Sequence, residues 1–225
     1  MSGIPNDVSQ LVEAAAPAPG DRRSIRRAQV RAEIVEAAWQ LVRESGLARL
    51  SMRELGSRVG MRAQSVYSHF ASKEEILDAM FRQGYQEYLE SLTDLDHQDT
   101  APAAAFLGTL AHHYFDFCVA EPVRFQLLFL RTVPGFAPSP SSYAIAIEAV
   151  GQLQLAFNRA GITDPAAPDL ATAVMTGLAS QQLANDPGGR RWSDLVDRAV
   201  SMLLTELAPD FNQRRASKPT RRSET

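Results

Sequence analysis

The chain has 225 residues, 45% of them hydrophobic and 22% charged, with a formal net charge of −3. That apolar fraction supports a packed core and excludes a disordered chain. The single cysteine, Cys118, excludes an intrachain disulfide framework and a cysteine-built zinc site.

No stretch approaches the ~18 uninterrupted apolar residues of a transmembrane helix. The N-terminus lacks the basic start and apolar run of a secretory signal. A soluble, cytoplasmic protein is expected. The net charge conceals a segregation: residues 22–73 carry 11 Lys/Arg against 4 Asp/Glu, whereas residues 74–225 carry 12 against 19. A basic module on an acidic body suits a protein with one end meeting phosphates.

Residues 1–21, with Pro17, Pro19 and Gly20, read as a disordered extension. Arg22, Arg23, Arg26 and Arg27 form a basic arm, which either enters a minor groove or attracts phosphates. A first helix spans about Ala28 to Ser45. Val30, Ile34, Ala37, Ala38, Leu41 and Val42 mark its buried stripe; Arg31, Glu33, Glu36 and Arg43 face outward. Gly46 ends it.

Ser51 with Glu54 three residues later has the reciprocal capping pattern that opens a helix. Leu55 and Val59 share one face of that helix, and Gly60 can adopt the left-handed conformation that closes it. The next helix, about Arg62 to Phe70, turns Val66 and Phe70 inward and leaves Arg62, Ala63, Gln64, Ser65, Tyr67, Ser68 and His69 elsewhere. Ser72 and Glu75 repeat the capping pattern. Two short helices around a glycine turn, the second carrying small and hydrogen-bonding groups, describe a helix-turn-helix.

A longer helix follows from Ser72 to about Leu95, with Ile76, Met80, Leu89 and Leu92 inward, and links the head to the body. Asp94 to Pro102 reads as a loop. Further helices are expected at about Ala103–Val119, Val123–Leu130, Ser142–Ala160, Asp169–Ala184 and Trp192–Leu207. The tail from Phe211 is basic and read as disordered. Strand alternation and internal repeats are absent from the pattern, so the expected fold is all-α, with about nine helices. The domains are expected at residues 1–21 (extension), 22–72 (helix-turn-helix), 73–210 (sensing and dimerisation) and 211–225 (basic tail).

The stretch from about Ala28 to Leu77 resembles the N-terminal domain of the TetR (tetracycline-repressor-like) family of bacterial transcription regulators. The residues that carry the likeness are Gly46, Ser51, Gly60-Met61, Tyr67-Ser68-His69-Phe70 and Ser72-Lys73-Glu74. The resemblance implies a homodimeric repressor that leaves a palindromic operator on binding a small molecule. It implies major-groove contacts from Ala63, Gln64 and Ser65, with Arg62 on guanine or phosphate. Gln64 can pair bidentately with adenine, at roughly 1–3 kcal/mol of discrimination. Tyr67, His69, Lys73, Ser51 and Arg53 are then expected on the DNA backbone. Tyr67 can alternatively pack its ring on the first helix, and His69 can be a packing residue.

In the body, the resemblance implies that the last two helices pair across a two-fold axis. The interface candidates are Leu170, Val174, Leu178 and Gln181 on one, and Trp192, Leu195, Ala199, Met202 and Leu203 on the other. It also implies a small, apolar or aromatic ligand near Phe106, Leu110, His113, Tyr114, Phe117, Phe125, Leu128, Phe129, Phe136 and Tyr143. These aromatics at helical spacing can equally be plain core. No cofactor and no metal are expected, although His112 and His113 adjoin. No GxSxG, P-loop or metal-spaced His/Glu set points to an enzyme. The alternatives are an activator, or a regulator that senses a protein partner and has no ligand cavity.

Overall fold

The computed structural model describes residues 19–98 and 102–208. Among the described residues it is all-helical, with nine α-helices and no strand. They are α1 (Pro19–Ser45), α2 (Met52–Arg58), α3 (Ala63–Tyr67), α4 (Lys73–Gln98), α5 (Ala103–Ala120), α6 (Pro122–Phe125), α7 (Pro140–Arg159), α8 (Ala167–Asn185) and α9 (Val196–Leu207). Short 3₁₀ turns precede α2 and α9, and a π-helical turn, Gln126–Leu130, follows α6.

Helix boundaries follow the local chemistry. The Ser51 hydroxyl accepts the Glu54 N–H at 3.2 Å and starts α2. Ser72 does the same for Glu75 at 3.3 Å, while the Glu75 carboxylate reaches back to the Ala71 N–H at 2.7 Å. Gly46 (φ 81°) and Gly60 (φ 68°) hold the left-handed conformations that end α1 and turn the chain after α2.

Three boundaries differ from expectation. Helix α1 begins at Pro19, so Arg22, Arg23, Arg26 and Arg27 lie on exposed helix and are not an arm. Proline is compatible with a first helical turn because its missing N–H would be unpaired there anyway, and nothing between Pro19 and Ser45 breaks the helix. Helix α4 likewise runs on to Gln98, through most of the stretch read as a loop. Conversely, α3 stops at Tyr67, and residues 68–69 form a turn. There the Ser68 hydroxyl donates to the Ser65 carbonyl at 2.7 Å, and this local bond competes with helix propagation. Residues 1–18 and the tail from Phe211 lie outside the described residues.

Helix α4 joins the two ends of the molecule. Its first half packs against α1, with Ile76, Leu77, Met80 and Phe81 almost fully buried. Its second half faces α7 and the π-turn. Trp39 of α1 donates its indole N–H to Gln83 of α4 at 3.1 Å, and Arg43 pairs with Glu121, ahead of α6, at 2.8 Å. Helix α5 lies beneath α7, α8 and α9. One core cluster runs without interruption from Ile34 in α1 to Ala199 in α9. A second, smaller cluster contains Phe106, Leu107, Ala156, Phe157, Ile162 and Ala167.

Asp78 is the polar anchor of this arrangement. Its carboxylate accepts the Ser139 N–H (2.6 Å), the Ser139 hydroxyl (3.0 Å) and the Ser142 hydroxyl (2.8 Å). It thereby fixes the N-terminus of α7, where Ser142 is fully buried, to α4. Asp78→Ala strands these donors, and each buried unsatisfied group costs roughly 1–3 kcal/mol. Urea denaturation should show destabilisation of at least that size. Asp78→Asn, which keeps an acceptor oxygen, should recover part of it.

Candidate nucleic-acid interface and ligand cavity

The head is built so that α3 can present side chains only one way. Val66 and Phe70 have no solvent exposure, nor does Leu55 of α2. With those three turned inward, Arg62, Gln64, Ser65 and Tyr67 are exposed, Tyr67 by 48%. About half of the Tyr67 surface is therefore open to solvent. Ala63 and His69 are half-buried, as are Ser51 and Lys73, while Arg53 is exposed. These residues surround the α2–α3 turn and the start of α4, so the expected DNA-contacting set is gathered on one region of the head. The His69 Nδ1 is buried without a hydrogen-bond partner.

Gly56 was not singled out in the sequence, yet it sets the α2–α3 crossing. A Cβ at this position would meet the Met61 carbonyl at 2.7 Å and the Ala63 nitrogen at 3.2 Å. Both are backbone, so nothing there can swing aside. The Met61 N–H also donates to the Gly56 carbonyl at 2.7 Å. The close approach lets the turn before α3 lie directly on α2. Its only sequence signal is a glycine inside a helical pattern, a position that otherwise costs stability.

Arg31 also departs from the expected outward orientation. Its guanidinium lies 3.9 Å from the centre of the Phe70 ring, pairs with Glu75 at 3.0 Å and donates to the His69 carbonyl.

The body contains a cavity of about 330 Å³ between the two core clusters. Helix α4 contributes Tyr85, Tyr88, Leu92 and Thr93; α5 contributes Phe106, Leu107, Leu110, Ala111 and Tyr114. Phe129 enters from the π-turn, and the remaining wall comes from α7, α8 and α9, including Leu153, Phe157, Met175 and Leu203. The one charged residue on the wall is Arg159. Burial pushes the Tyr85, Tyr88 and Tyr114 hydroxyls well above the ordinary tyrosine pKa, so they remain neutral. The Tyr85 hydroxyl donates to the Leu128 carbonyl at 3.4 Å, and Tyr114 bonds Thr176 at 2.8 Å.

Of the expected ligand residues, Phe106, Leu110, Tyr114 and Phe129 line the cavity. The other six lie outside its wall. Phe117 meets Tyr88 at 4.9 Å in a tilted arrangement with Arg124 over its ring at 3.7 Å, and Phe125 packs on Phe129 at 6.1 Å. Phe136 meets Phe81 edge-on at 6.4 Å. The His113 ring stacks on Tyr88 and bonds the Ser91 hydroxyl at 2.8 Å, and Leu128 is buried against Gly84. Tyr143 is 48% exposed on the outer side of α7. These side chains form solid core or surface, because helical spacing does not reveal which apolar face is left unfilled. The tyrosines of α4 and the aliphatics of α7 that do form the wall carried no distinguishing signal.

The expected dimer residues divide similarly. Leu170, Gln181 and Met202 are exposed, the last by 65%, and Ala173 and Gly177 continue the open face of α8. Val174, Leu178, Trp192 and Leu195 are half-buried, Ala199 is buried, and Leu203 forms part of the cavity wall. Helix α7 adds exposed Ile147, Val150 and Leu155, which the sequence pattern did not single out. His112 pairs with Asp197 at 2.7 Å, joining α5 to α9. Among the described residues, no three His, Cys, Asp or Glu side chains converge as a metal group, and no helix is long and apolar enough to cross a membrane. Cys118 is buried, and burial pushes its thiol up to about 12.

Comparison with known proteins agrees with the geometry of the head. Residues 34–80 match the pattern described as bacterial regulatory proteins, tetR family. The chain is 29% identical over 135 residues to the HTH-type transcriptional regulator Rv1816 of Mycobacterium tuberculosis, covering 59% of this chain and 57% of that protein. It therefore matches a little over half the length of that relative. The HTH-type transcriptional repressor KstR2 of Mycobacterium tuberculosis is 37% identical over 59 residues, 26% of this chain and 29% of that one. Among solved structures, the multidrug binding protein EbrR complexed with imidazole superposes with a TM-score of 0.60 at 25% identity, covering 85% of this chain and 97% of that chain. With the capped short helices, the glycine turn and the exposed face of α3, these likenesses show that residues 34–80 form a helix-turn-helix domain of the tetR type, and that the chain as a whole resembles the TetR family of bacterial regulatory proteins.

Proposed function

We propose that the protein is a sequence-specific, DNA-binding transcriptional repressor that acts as a homodimer and leaves a palindromic operator when a small, largely apolar ligand fills its body. One observation carries the DNA assignment. Helix α3 exposes Arg62, Gln64, Ser65 and Tyr67 together because Val66 and Phe70 are locked into the core. In a major groove Gln64 supplies a bidentate partner for adenine, Arg62 a partner for guanine or phosphate, and Lys73 a phosphate contact.

The ligand assignment rests on the cavity. Its volume falls at the lower end of the ~300–1,000 Å³ typical of small-molecule sites, and its wall is dominated by aromatic and aliphatic groups. That observation favours a small-molecule sensor over a partner-sensing regulator with a filled body. EbrR, which shares the fold, is described as a multidrug binding protein. Repression is favoured over activation by the likeness to KstR2, named a repressor.

The route from cavity to head is short in this reading. Phe129 of the π-turn lines the cavity, while Leu128 beside it seats on Gly84 of α4, where a Cβ would come within 2.9 Å of its methyl group. A ligand that displaces Phe129 must move the turn, and the turn bears directly on α4. Dimerisation uses the outer faces of α8 and α9, where small Ala173 and Gly177 permit close helix approach. A two-fold dimer then places the two copies of α3 one DNA turn apart, ~34–36 Å.

On a duplex selected by the protein from a random-sequence pool, Gln64→Ala should weaken binding by roughly tenfold at one position of each half-site while leaving non-specific binding intact. Lys73→Ala should weaken all sequences alike and reduce the slope of log affinity against log salt by about 0.9 per half-site. Gel shifts at several salt concentrations read both, and failure of the unaltered protein to enrich any duplex would sink the assignment.

Introducing a charge on the open face, with Leu170→Glu and Met202→Glu together, should convert dimer to monomer in sedimentation equilibrium. The helical circular dichroism should be unchanged, since both residues are exposed in the subunit.

Filling the cavity by Ala149→Phe should abolish displacement of DNA by any apolar compound that displaces it from the unaltered protein. DNA affinity without the compound should stay the same. Retained displacement would place the ligand elsewhere.

A further inference from the structure

We infer that Arg31, at the middle of α1, is a positioning residue for DNA recognition: it locks the end of the reading helix to the start of α4 without itself touching DNA. The inference rests on the DNA-binding reading above.

Helix α3 is only five residues long and ends at Ser68 without a glycine; the Ser68 hydroxyl caps the Ser65 carbonyl, which leaves the turn that follows to be held from elsewhere. His69, in the turn just beyond the helix, has a carbonyl that no intrahelical bond reaches and that must be satisfied from outside. Arg31 meets that need from α1 by donating to the His69 carbonyl. The same guanidinium lies over the Phe70 ring at 3.9 Å and pairs with Glu75 in the first turn of α4 at 3.0 Å. Phe70 is fully buried, so the ring is a fixed platform. Glu75 in turn accepts the Ala71 N–H at 2.7 Å, so the connection between α3 and α4 is held from both sides.

This connection separates the groups assigned to DNA. Tyr67 precedes it and Lys73 follows it, and the distance between them is set by residues 68–72. A planar guanidinium with donors on several edges can hold a carbonyl, a carboxylate and a ring face together; an ammonium cannot. Its side chain is about one-third exposed (33%), so its pair with Glu75 contributes little to global stability. Its effect is on the geometry of the reading surface.

Affinity of Arg31→Met, Arg31→Lys and Glu75→Gln for a duplex selected by the unaltered protein tests this, read by fluorescence anisotropy across a salt series beside thermal unfolding. Arg31→Met should lose roughly tenfold or more in affinity for the selected duplex. The slope of log affinity against log salt should stay unchanged, since no phosphate contact is removed; a direct contact would lower it by about 0.9. Arg31→Lys, which keeps the charge, should rescue only part of the loss. Glu75→Gln gives the sharper sign. Removing an acid beside a phosphate-binding surface should tighten binding on electrostatic grounds, whereas loss of the lock should weaken it. The Glu75→Gln measurement also stands if Arg31→Met does not fold. Tighter binding by Glu75→Gln, full rescue by Arg31→Lys, or a reduced salt slope in Arg31→Met would each overturn the inference. An unaltered protein that selects no duplex would overturn the DNA reading and this inference with it.

Discussion

Burial of α4 in both the head and the body is the constraint on which the rest of the structure depends. Ile76, Leu77, Met80 and Phe81 are at most 2% exposed in a core that α1 shares, and Tyr85, Tyr88 and Leu92 continue the same helix to the cavity. Head and body are therefore not beads on a flexible connection; one apolar cluster runs through both. From Lys73 to Tyr88 is fifteen residues, roughly 22 Å of helix at 1.5 Å each. A packed helix of that length transmits displacement at one end to the other, because close-packed neighbours leave few intermediate positions. Coupling between such sites is typically about 1–3 kcal/mol, comparable to the cost of losing one or two contacts along α4.

Polar contacts complement this packing at points where apolar burial alone would allow sliding. Asp78 ties α7 to α4, Trp39 and Gln83 tie α1 to α4, and Arg43 with Glu121 ties α1 to the turn before α6. Hydrophobic contacts are non-directional, so they favour compactness without fixing a helix's rotation or register. The directional bonds supply that. Their positions at the head–body junction mean that a change in α4's register has to break a particular set of bonds, which makes the transition between arrangements discrete.

The parts of this fold legible in the sequence were those encoded locally. Ser51 and Ser72 marked helix starts through bonds to residues three positions on, and Gly46 and Gly60 marked turns through conformations few other residues adopt. Val66 and Phe70 could be placed inside because their spacing matches one helical face. The helical extent of α1 before Ala28 was not legible, since an arginine-rich segment reads alike as arm or exposed helix. Arg31 was assigned outward by its charge, although its partners lie 38 to 44 residues away in sequence and leave no local trace. The cavity posed the same difficulty in stronger form. Phe125 and Phe129 are four residues apart on adjoining turns, yet only Phe129 borders empty space. Periodicity identifies an inward face but not whether the opposing side chains reach it.

The cavity's location indicates what its contents must supply. It separates the main core from the cluster of Phe106, Leu107, Ala156, Phe157, Ile162 and Ala167, so an apolar occupant would join two cores that the protein alone leaves apart. Empty apolar volume costs roughly 24 cal/mol per Å³ where it is created in a packed core, which gives an occupant a driving force independent of any hydrogen bond. Two of the polar groups on the wall are already engaged: Tyr85 with the Leu128 carbonyl and Tyr114 with Thr176. An occupant that recruited either hydroxyl would have to break that bond first, so selection among ligands falls mainly to shape and apolar contact. The Tyr85 bond adds a consequence. It connects α4 to the π-turn that carries Phe129, and any ligand large enough to push that ring aside strains the same bond from the opposite side. On the proposed reading, ligand size is coupled to the position of α4, and a small molecule that fits without moving Phe129 binds and leaves the DNA-facing end unchanged.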